Sequence, residues 1–442
     1  MTLNSQLLRG TFVAALGGLL FGFDTAVIAG TTSALSAEYH LSPALLGLTV
    51  ASALWGTILG ALLAAIPGDR YGRRDSLMGM AILYVISSAG CALAWNWDSL
   101  VFFRFIGGLG IGGSSVLGPM YIAEIAPARW RGRMVGFFQF NVVFGILLAY
   151  FSNYRIGLLN LGEWEWRAKL GVAAVPAVLF LILLAFIVRS PRWLVGKGRL
   201  DEARDALARI GDDPDFEIRE ITEAIKAEHL ERGDRLFSRK YRLPVFLAIT
   251  IGMFNQLSGI NAILYYLNDI FAQAGFAKVS SDLQAVAVGL ANLLFTLIGM
   301  AAIDRLGRKP LLLAGSIGTA AAMSGVAAVF FTHRGNQYLV WLLAFYIASF
   351  ALSQGAVIWV YLSEVFPHSV RARGQSLGSF SHWFMNAVIS GLFPLMAAAS
   401  GAYPFVFFAL MMVVQFFVVL TIYPETKGIT LERMRERMKI EA

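Results

Sequence analysis

The chain has 442 residues, of which 57 % are hydrophobic and only 14 % charged, with a formal net charge of +8 and a mean hydropathy of +0.65. Soluble domains carry about 25 % charged residues, so this composition excludes a water-soluble enzyme. A single cysteine, Cys91, excludes an internal disulfide framework and a cysteine-based metal centre.

The first apolar stretch runs from about residue 10 to residue 30. It is long enough to cross a bilayer core of about 30 Å, and no small-residue cleavage site follows it. Uncharged runs follow at 44–68, 76–97, 105–123, 134–154, 170–188, 243–268, 283–303, 310–332 and 335–363. Residues 374–424 contain no Asp, Glu, Lys or Arg and hold two more spans, with a break near Ser400-Gly401-Ala402-Tyr403-Pro404. Twelve spans are therefore predicted. With the N-terminus inside, 30 of the 36 Lys and Arg residues fall on the cytoplasmic side, an asymmetry that sets topology. It accounts for the basic charge without nucleic acid.

The chain is duplicated. Asp69-Arg70-Tyr-Gly-Arg73-Arg74 recurs 235 residues on as Asp304-Arg305-Leu-Gly-Arg308-Lys309. Glu124-x-x-Pro-x-x-x-Arg131 recurs 240 residues on as Glu364-x-x-Pro-x-x-x-Arg371, and Ser190-Pro-Arg-Trp has a weaker echo in Tyr423-Pro-Glu425-Thr. The predicted fold is all-α and integral to the membrane: six helices in 1–189, a hydrophilic helical insert in 190–242, six helices in 243–424 and a tail in 425–442. Within the insert, 199–210 and 215–231 read as amphipathic helices separated by Asp212-Asp213-Pro214, and 429–439 reads as a tail helix, all cytoplasmic. Internal repeats of this kind are typical of transporters, whose substrate sites lie at the midplane.

In each repeated loop the glycine permits a tight turn. Its arginines are expected to pair with Glu124 or Glu364 and with helix C-terminal carbonyls, forming a charge latch at the cytoplasmic rim. Asp24 is the only acidic residue well inside an apolar helix, and Arg104 the only basic one. Each lies six or seven residues from the outer end of its span, about 10 Å deep at 1.5 Å per residue, so a pair is possible. A carboxylate that trades an arginine partner for a proton is a coupling device, whereas a static pair would be structural.

Span 7 carries Asn255-Gln256-Leu-Ser-Gly-Ile-Asn261 and then Tyr265-Tyr266. Its Ser-Gly step weakens the helix. Gln139, Asn292 and Asn386 add amides, and Trp359 and Trp383 add flat apolar faces. Amides with tryptophans suit a sugar, which presents hydroxyl edges and a C–H face. Any one amide alone reads equally well as a bond between helices, and His382 reads as a packed or hydrogen-bonded residue.

Together with Gly17–Gly30, Arg104–Gly110 and Pro424-Glu-Thr-Lys-Gly428, these motifs resemble the sugar porter family of the major facilitator superfamily, over nearly the whole chain and nearest to bacterial proton-coupled pentose or hexose symporters. The resemblance implies alternating access by two six-helix halves. It places Gln139, Gln256, Asn261, Asn292, Trp359, Trp383 and Asn386 at the sugar, with Tyr265 and Tyr266 at the outer gate. It implies proton coupling through Asp24 and Arg104, where facilitative carriers have a neutral residue at the first position. Two departures stand out. Asn255 replaces a glutamine, which puts that sugar contact in question, and Val188-Arg189 replaces Pro-Glu, which predicts a weaker latch in the first half.

The expectation is a monomeric proton–monosaccharide symporter of the bacterial inner membrane, with both termini cytoplasmic and no cofactor or metal. A passive facilitator and a membrane sugar sensor are the alternatives. No metalloprotease motif or Ser/His constellation supports an enzyme.

Overall fold

The computed structural model describes residues 4–427 apart from 128, 212, 231–234 and 368–369, and apart from the side chains of 227–230, 304 and 372. The expected tail helix at 429–439 and the Asp304 side chain lie outside the described residues. Among the described residues, twelve helices are long and apolar enough to span a membrane. In chain order these spans are Ser5–Gly30, Pro43–Leu63, Arg73–Ala92, Trp97–Ile125, Arg131–Gly157, Gly162–Leu184, Arg239–Tyr265, Lys278–Ile303, Arg308–Thr332, Asn336–Glu364, Arg373–Ala399 and Tyr403–Ile422. No strand occurs among the described residues.

Local chemistry sets the ends. Span 4 opens on a capping box in which the Asn96 side chain accepts from the Ser99 amide at 2.8 Å and the Ser99 hydroxyl accepts from the Asn96 amide at 3.2 Å. Spans 3 and 9 each begin after a glycine in nearly the same left-handed conformation, Gly72 at φ +90° and Gly307 at φ +92°, so the repeated loop folds alike in both halves. Among its described residues the insert holds the α-helices Pro191–Gly196, Leu200–Ile210 and Pro214–Leu230. Ser190 caps the first, accepting from the Trp193 amide at 3.2 Å, with Pro191 at its first position.

The chain forms two compact units. One comprises residues 1–27, 52–152 and 160–232; the other comprises 28–51, 153–159 and 233–442. The division differs from the sequence halves at the outer ends of spans 1, 2 and 5, which group with the second half.

In the first unit, Leu7, Leu117, Tyr121, Phe180 and Leu184 form a core that is at most 2 % exposed. Spans 2 and 4 approach through two facing Gly-x-x-x-Gly pairs. A Cβ on Gly108 would stand 1.9 Å from the Ala53 carbonyl oxygen, one on Gly112 2.1 Å from that of Thr57, and one on Gly56 2.2 Å from that of Phe105. Helices in lipid associate through such backbone contact. Gly108→Leu is expected to force the two helices apart and cost at least about 3 kcal/mol, read as loss of the monodisperse folded peak in detergent.

In the second unit, Leu247, Tyr361, Val365 and Phe366 centre another core. The outer segments of the first half are tied into it. A Cβ on Gly47 would stand 2.0 Å from the Gly391 carbonyl oxygen. The Ser33 hydroxyl donates to the Asp269 carboxylate at 2.9 Å.

Candidate functional site

The amide-rich segment of span 7 lies in the second unit. Its helix stops at Leu257 and restarts at Ile260, with Gly259 left-handed at φ +88°. A Cβ there would meet the Phe408 ring at 2.4 Å, so only glycine satisfies both backbone and packing. The break aims the amides at one another. Asn261 Nδ2 donates to Gln256 Oε1 at 3.1 Å, and Gln256 Nε2 donates to Asn255 Oδ1 at 3.2 Å. The Gln256 amide nitrogen also lies 3.2 Å from the His382 ring nitrogen Nε2.

Asn255 turns aside and donates to the Gln354 backbone carbonyl at 3.3 Å, so the shorter side chain positions Gln256. His382 stands between the two tryptophans, 5.3 Å from the Trp359 ring and 5.1 Å from the Trp383 ring, centroid to centroid. Trp359 is 40 % exposed and Trp383 5 %. Asn386 Nδ2 donates to the Tyr265 hydroxyl at 3.4 Å and its Oδ1 accepts from Ser390 at 3.0 Å, while Tyr266 donates to the Ser390 carbonyl at 3.0 Å. The two expected gate tyrosines are thus joined to the Asn386 turn of span 11.

Asn292 stands apart from this network, its Oδ1 accepting from Thr296 at 3.5 Å. Gln139 is half-buried on span 5 of the first unit. Among the buried amides that escaped the sequence reading are Gln354 and Gln415, both 2 % exposed and joined at 3.0 Å. Their presence in uncharged spans was the available signal.

In the first unit, Asp24 is half-buried and Arg104 only 4 % exposed. The Arg104 charge acts on the Asp24 carboxylate, and both act on the Cys91 thiol. The two are therefore within electrostatic reach of each other. The Tyr84 hydroxyl, also within reach of the Asp24 charge, shares a hydrogen bond with Ser114 at 3.1 Å.

The repeated loops build matching clusters. In the first unit, Arg73 donates to the Gly68 carbonyl at 2.9 Å and pairs with Asp69 at 3.2 Å and Glu124 at 2.9 Å. In the second, Arg308 donates to the Ile303 carbonyl at 3.2 Å and holds Glu364 with two nitrogens, at 2.6 and 3.0 Å. Arg131 and Arg371 each donate to the carbonyl five residues earlier, of Ala126 at 3.4 Å and Phe366 at 3.2 Å. Ser190 donates to Glu124 in one unit, and Thr426 donates to Glu364 at 2.6 Å in the other. Arg74 bonds Asp75 at 2.7 Å, Arg70 lies over Tyr71, and Arg305 offers its carbonyl to Lys427. The first-half Arg–Glu contact is single where the second is two-pronged, yet Arg189 is itself answered by Asp75 at 2.9 Å and Glu202 at 3.5 Å.

Glu425 crowns the start of span 9, accepting from the amides of Arg308 at 3.1 Å and Lys309 at 3.0 Å, and also from Thr426 and Lys427. Burial pushes its carboxyl up, but these four backbone donors outweigh burial and hold it below the ordinary glutamate range. Because the folded value is the lower one, its contribution is present at neutral pH and is lost as pH falls through that value. Glu425→Ala is expected to cost about 0.5–2 kcal/mol at neutral pH and to flatten the acid side of the profile of unfolding midpoint against pH.

Among the described residues, no group of three or more His, Cys, Asp and Glu side chains is placed to hold a metal. The family model described as sugar (and other) transporter matches residues 10–438. The D-xylose-proton symporter of Escherichia coli (strain K12) is 36 % identical, over 98 % of this chain and 95 % of that protein. The arabinose-proton symporter of Bacillus subtilis (strain 168) is 36 % identical over 96 % and 93 %. The inward-open conformation of the xylose transporter XylE from E. coli superimposes with a TM-score of 0.88 at 35 % identity, covering 98 % of this chain and 99 % of that one.

Proposed function

Since the chain belongs to the sugar (and other) transporter family, we propose that it carries a pentose or hexose together with a proton by alternating access. The sugar binds against Gln256, Asn261, Asn386, Trp359 and Trp383, with Asn292 contributing from span 8. Tyr265 and Tyr266 move with span 11 to close the outer side. The repeated Arg–Glu clusters act as latches at the cytoplasmic rim, broken and remade as the halves rock. The protein works as a monomer in a bacterial inner membrane, with both termini cytoplasmic.

The observation that carries the coupling is Asp24, a carboxylate inside a span within electrostatic reach of Arg104. Burying such a group is costly unless it is paired or protonated, so exchanging Arg104 for a proton links ionisation to conformation. A passive carrier needs no ionisable group at that depth. The test is uptake of radiolabelled xylose, arabinose and glucose by proteoliposomes, with and without an inward proton gradient. Accumulation above equilibrium only with the gradient supports symport. Equilibration at the same level in both cases supports a facilitator, and no solute movement supports a sensor.

A further inference from the structure

A cavity of about 610 Å³ opens on the first unit beside the repeated loop, and neither Arg73 nor Glu124 lines it. Its wall includes Arg70, Asp75, Ser76, Arg189, Trp193 and Arg199. The charges around it do not balance. Asp75 takes both Arg74 at 2.7 Å and Arg189 at 2.9 Å. Glu202 takes both Arg199 at 2.5 Å and Arg189 at 3.5 Å. Arg70 has only the Tyr71 ring beneath it, at 5.2 Å. Three guanidiniums therefore share two carboxylates, and Arg70 adds a fourth, leaving two positive charges. Arg73 and Arg192 do not change this count, since two carboxylates answer them: Asp69 pairs with Arg73, and Glu124 is drawn to both.

Two further features point the same way. The cavity lies at the start of the helix Arg73–Ala92, whose first amides and dipole favour an anion. Ser76, on the first turns of that helix, is 4 % exposed, and its hydroxyl is buried with no hydrogen-bond partner, as is the Arg189 Nε. Buried polar atoms in folded proteins are nearly always satisfied. Trp193 is a fixed wall: its ring lies against Gly72, its Nε1 donates to the Asp69 carbonyl at 3.0 Å, and Arg199 stands over it at 5.5 Å.

We propose that this cavity binds a phosphate monoester, held by Arg189, Arg199 and Arg70 with the Ser76 hydroxyl as a further donor. A monoester carries a charge of about −1.5 to −2 at neutral pH and three acceptor oxygens, which matches the surplus and the orphaned donors. The group comes either from a soluble sugar phosphate or from the headgroup of phosphatidic acid in the adjoining leaflet.

The experiment uses the purified full-length protein in two arms. In phospholipid-free detergent, binding of radiolabelled glucose 6-phosphate is measured by equilibrium dialysis, alongside the unfolding midpoint. In nanodiscs, the midpoint is compared between phosphatidylcholine alone and phosphatidylcholine with about a fifth phosphatidic acid. Saturable binding or a raised midpoint in either arm is expected, and the responding arm names the source. Arg189→Glu is expected to weaken it at least about tenfold, with Arg199→Gln and Ser76→Ala weakening it about threefold to tenfold. Added salt should weaken it further. The milder two variants keep the test decisive if charge reversal prevents folding. The proposal is overturned if neither arm responds, or if the response survives unchanged in the variants that fold.

Discussion

Asp24→Asn is expected to abolish accumulation of sugar against a gradient while leaving sugar-for-sugar exchange within a few fold of the parent. Asparagine keeps the shape and hydrogen bonding of the neutral acid but cannot ionise, so the transporter loses the proposed step in which Arg104 and a proton compete for one carboxylate. Exchange needs only the rocking of a loaded carrier and survives. A proton gradient of one pH unit is worth about 1.4 kcal/mol and sustains about tenfold accumulation when one proton accompanies each sugar. The expected ratio for the variant is unity. Retained accumulation would remove Asp24 from the coupling step. Arg104→Gln should lose accumulation too, but with a folding cost, because Arg104 is buried.

Gln256→Ala is expected to raise the half-saturating sugar concentration about tenfold to a hundredfold. Gln256 is the hub of the amide cluster, bonded to Asn255, Asn261 and His382. Truncation removes the proposed sugar contact and also leaves those partners misdirected; unsatisfied buried groups cost about 1–3 kcal/mol each. The measurement is the concentration dependence of exchange, in which a lost site shows as weaker affinity at similar maximal rate. Gln415→Leu provides the contrast: it disturbs a buried pair with Gln354 and should lower the unfolding midpoint more than the affinity.

Most of the fold was legible because hydrocarbon imposes a simple rule. Helices that cross it must be about 20 residues long and nearly free of charge, so gaps between charged residues located all twelve. Duplication was legible because a tight turn needs glycine and its arginine needs an acid, so Gly72 with Arg73 and Glu124 reappears as Gly307 with Arg308 and Glu364. The break at Ser258-Gly259 was likewise written in residue type.

What sequence left open depends on how each helix is rotated about its axis. Two tryptophans of similar promise differ in exposure, 40 % for Trp359 and 5 % for Trp383. Asn255 donates to the Gln354 backbone carbonyl, a partner that no motif announces. His382, read only as packed or hydrogen-bonded, joins Gln256 to both tryptophans. Gln354 and Gln415 carry no motif. The grouping of 28–51 with the second unit rests on backbone contacts such as Gly47 against Gly391, which no spacing announces. At Arg189, reversal of an expected charge suggested only a missing contact, whereas the structure supplies Asp75 and Glu202 as partners.

The central claim is that sugar and proton move together through this chain. It is tested most directly by loading proteoliposomes with a pH-sensitive dye, in the absence of any ion gradient, and adding xylose, arabinose or glucose outside. The account predicts acidification of the lumen that requires a transported sugar, saturates with it and vanishes in Asp24→Asn. Entry of radiolabelled sugar at the same rate with no change in lumenal pH would contradict it.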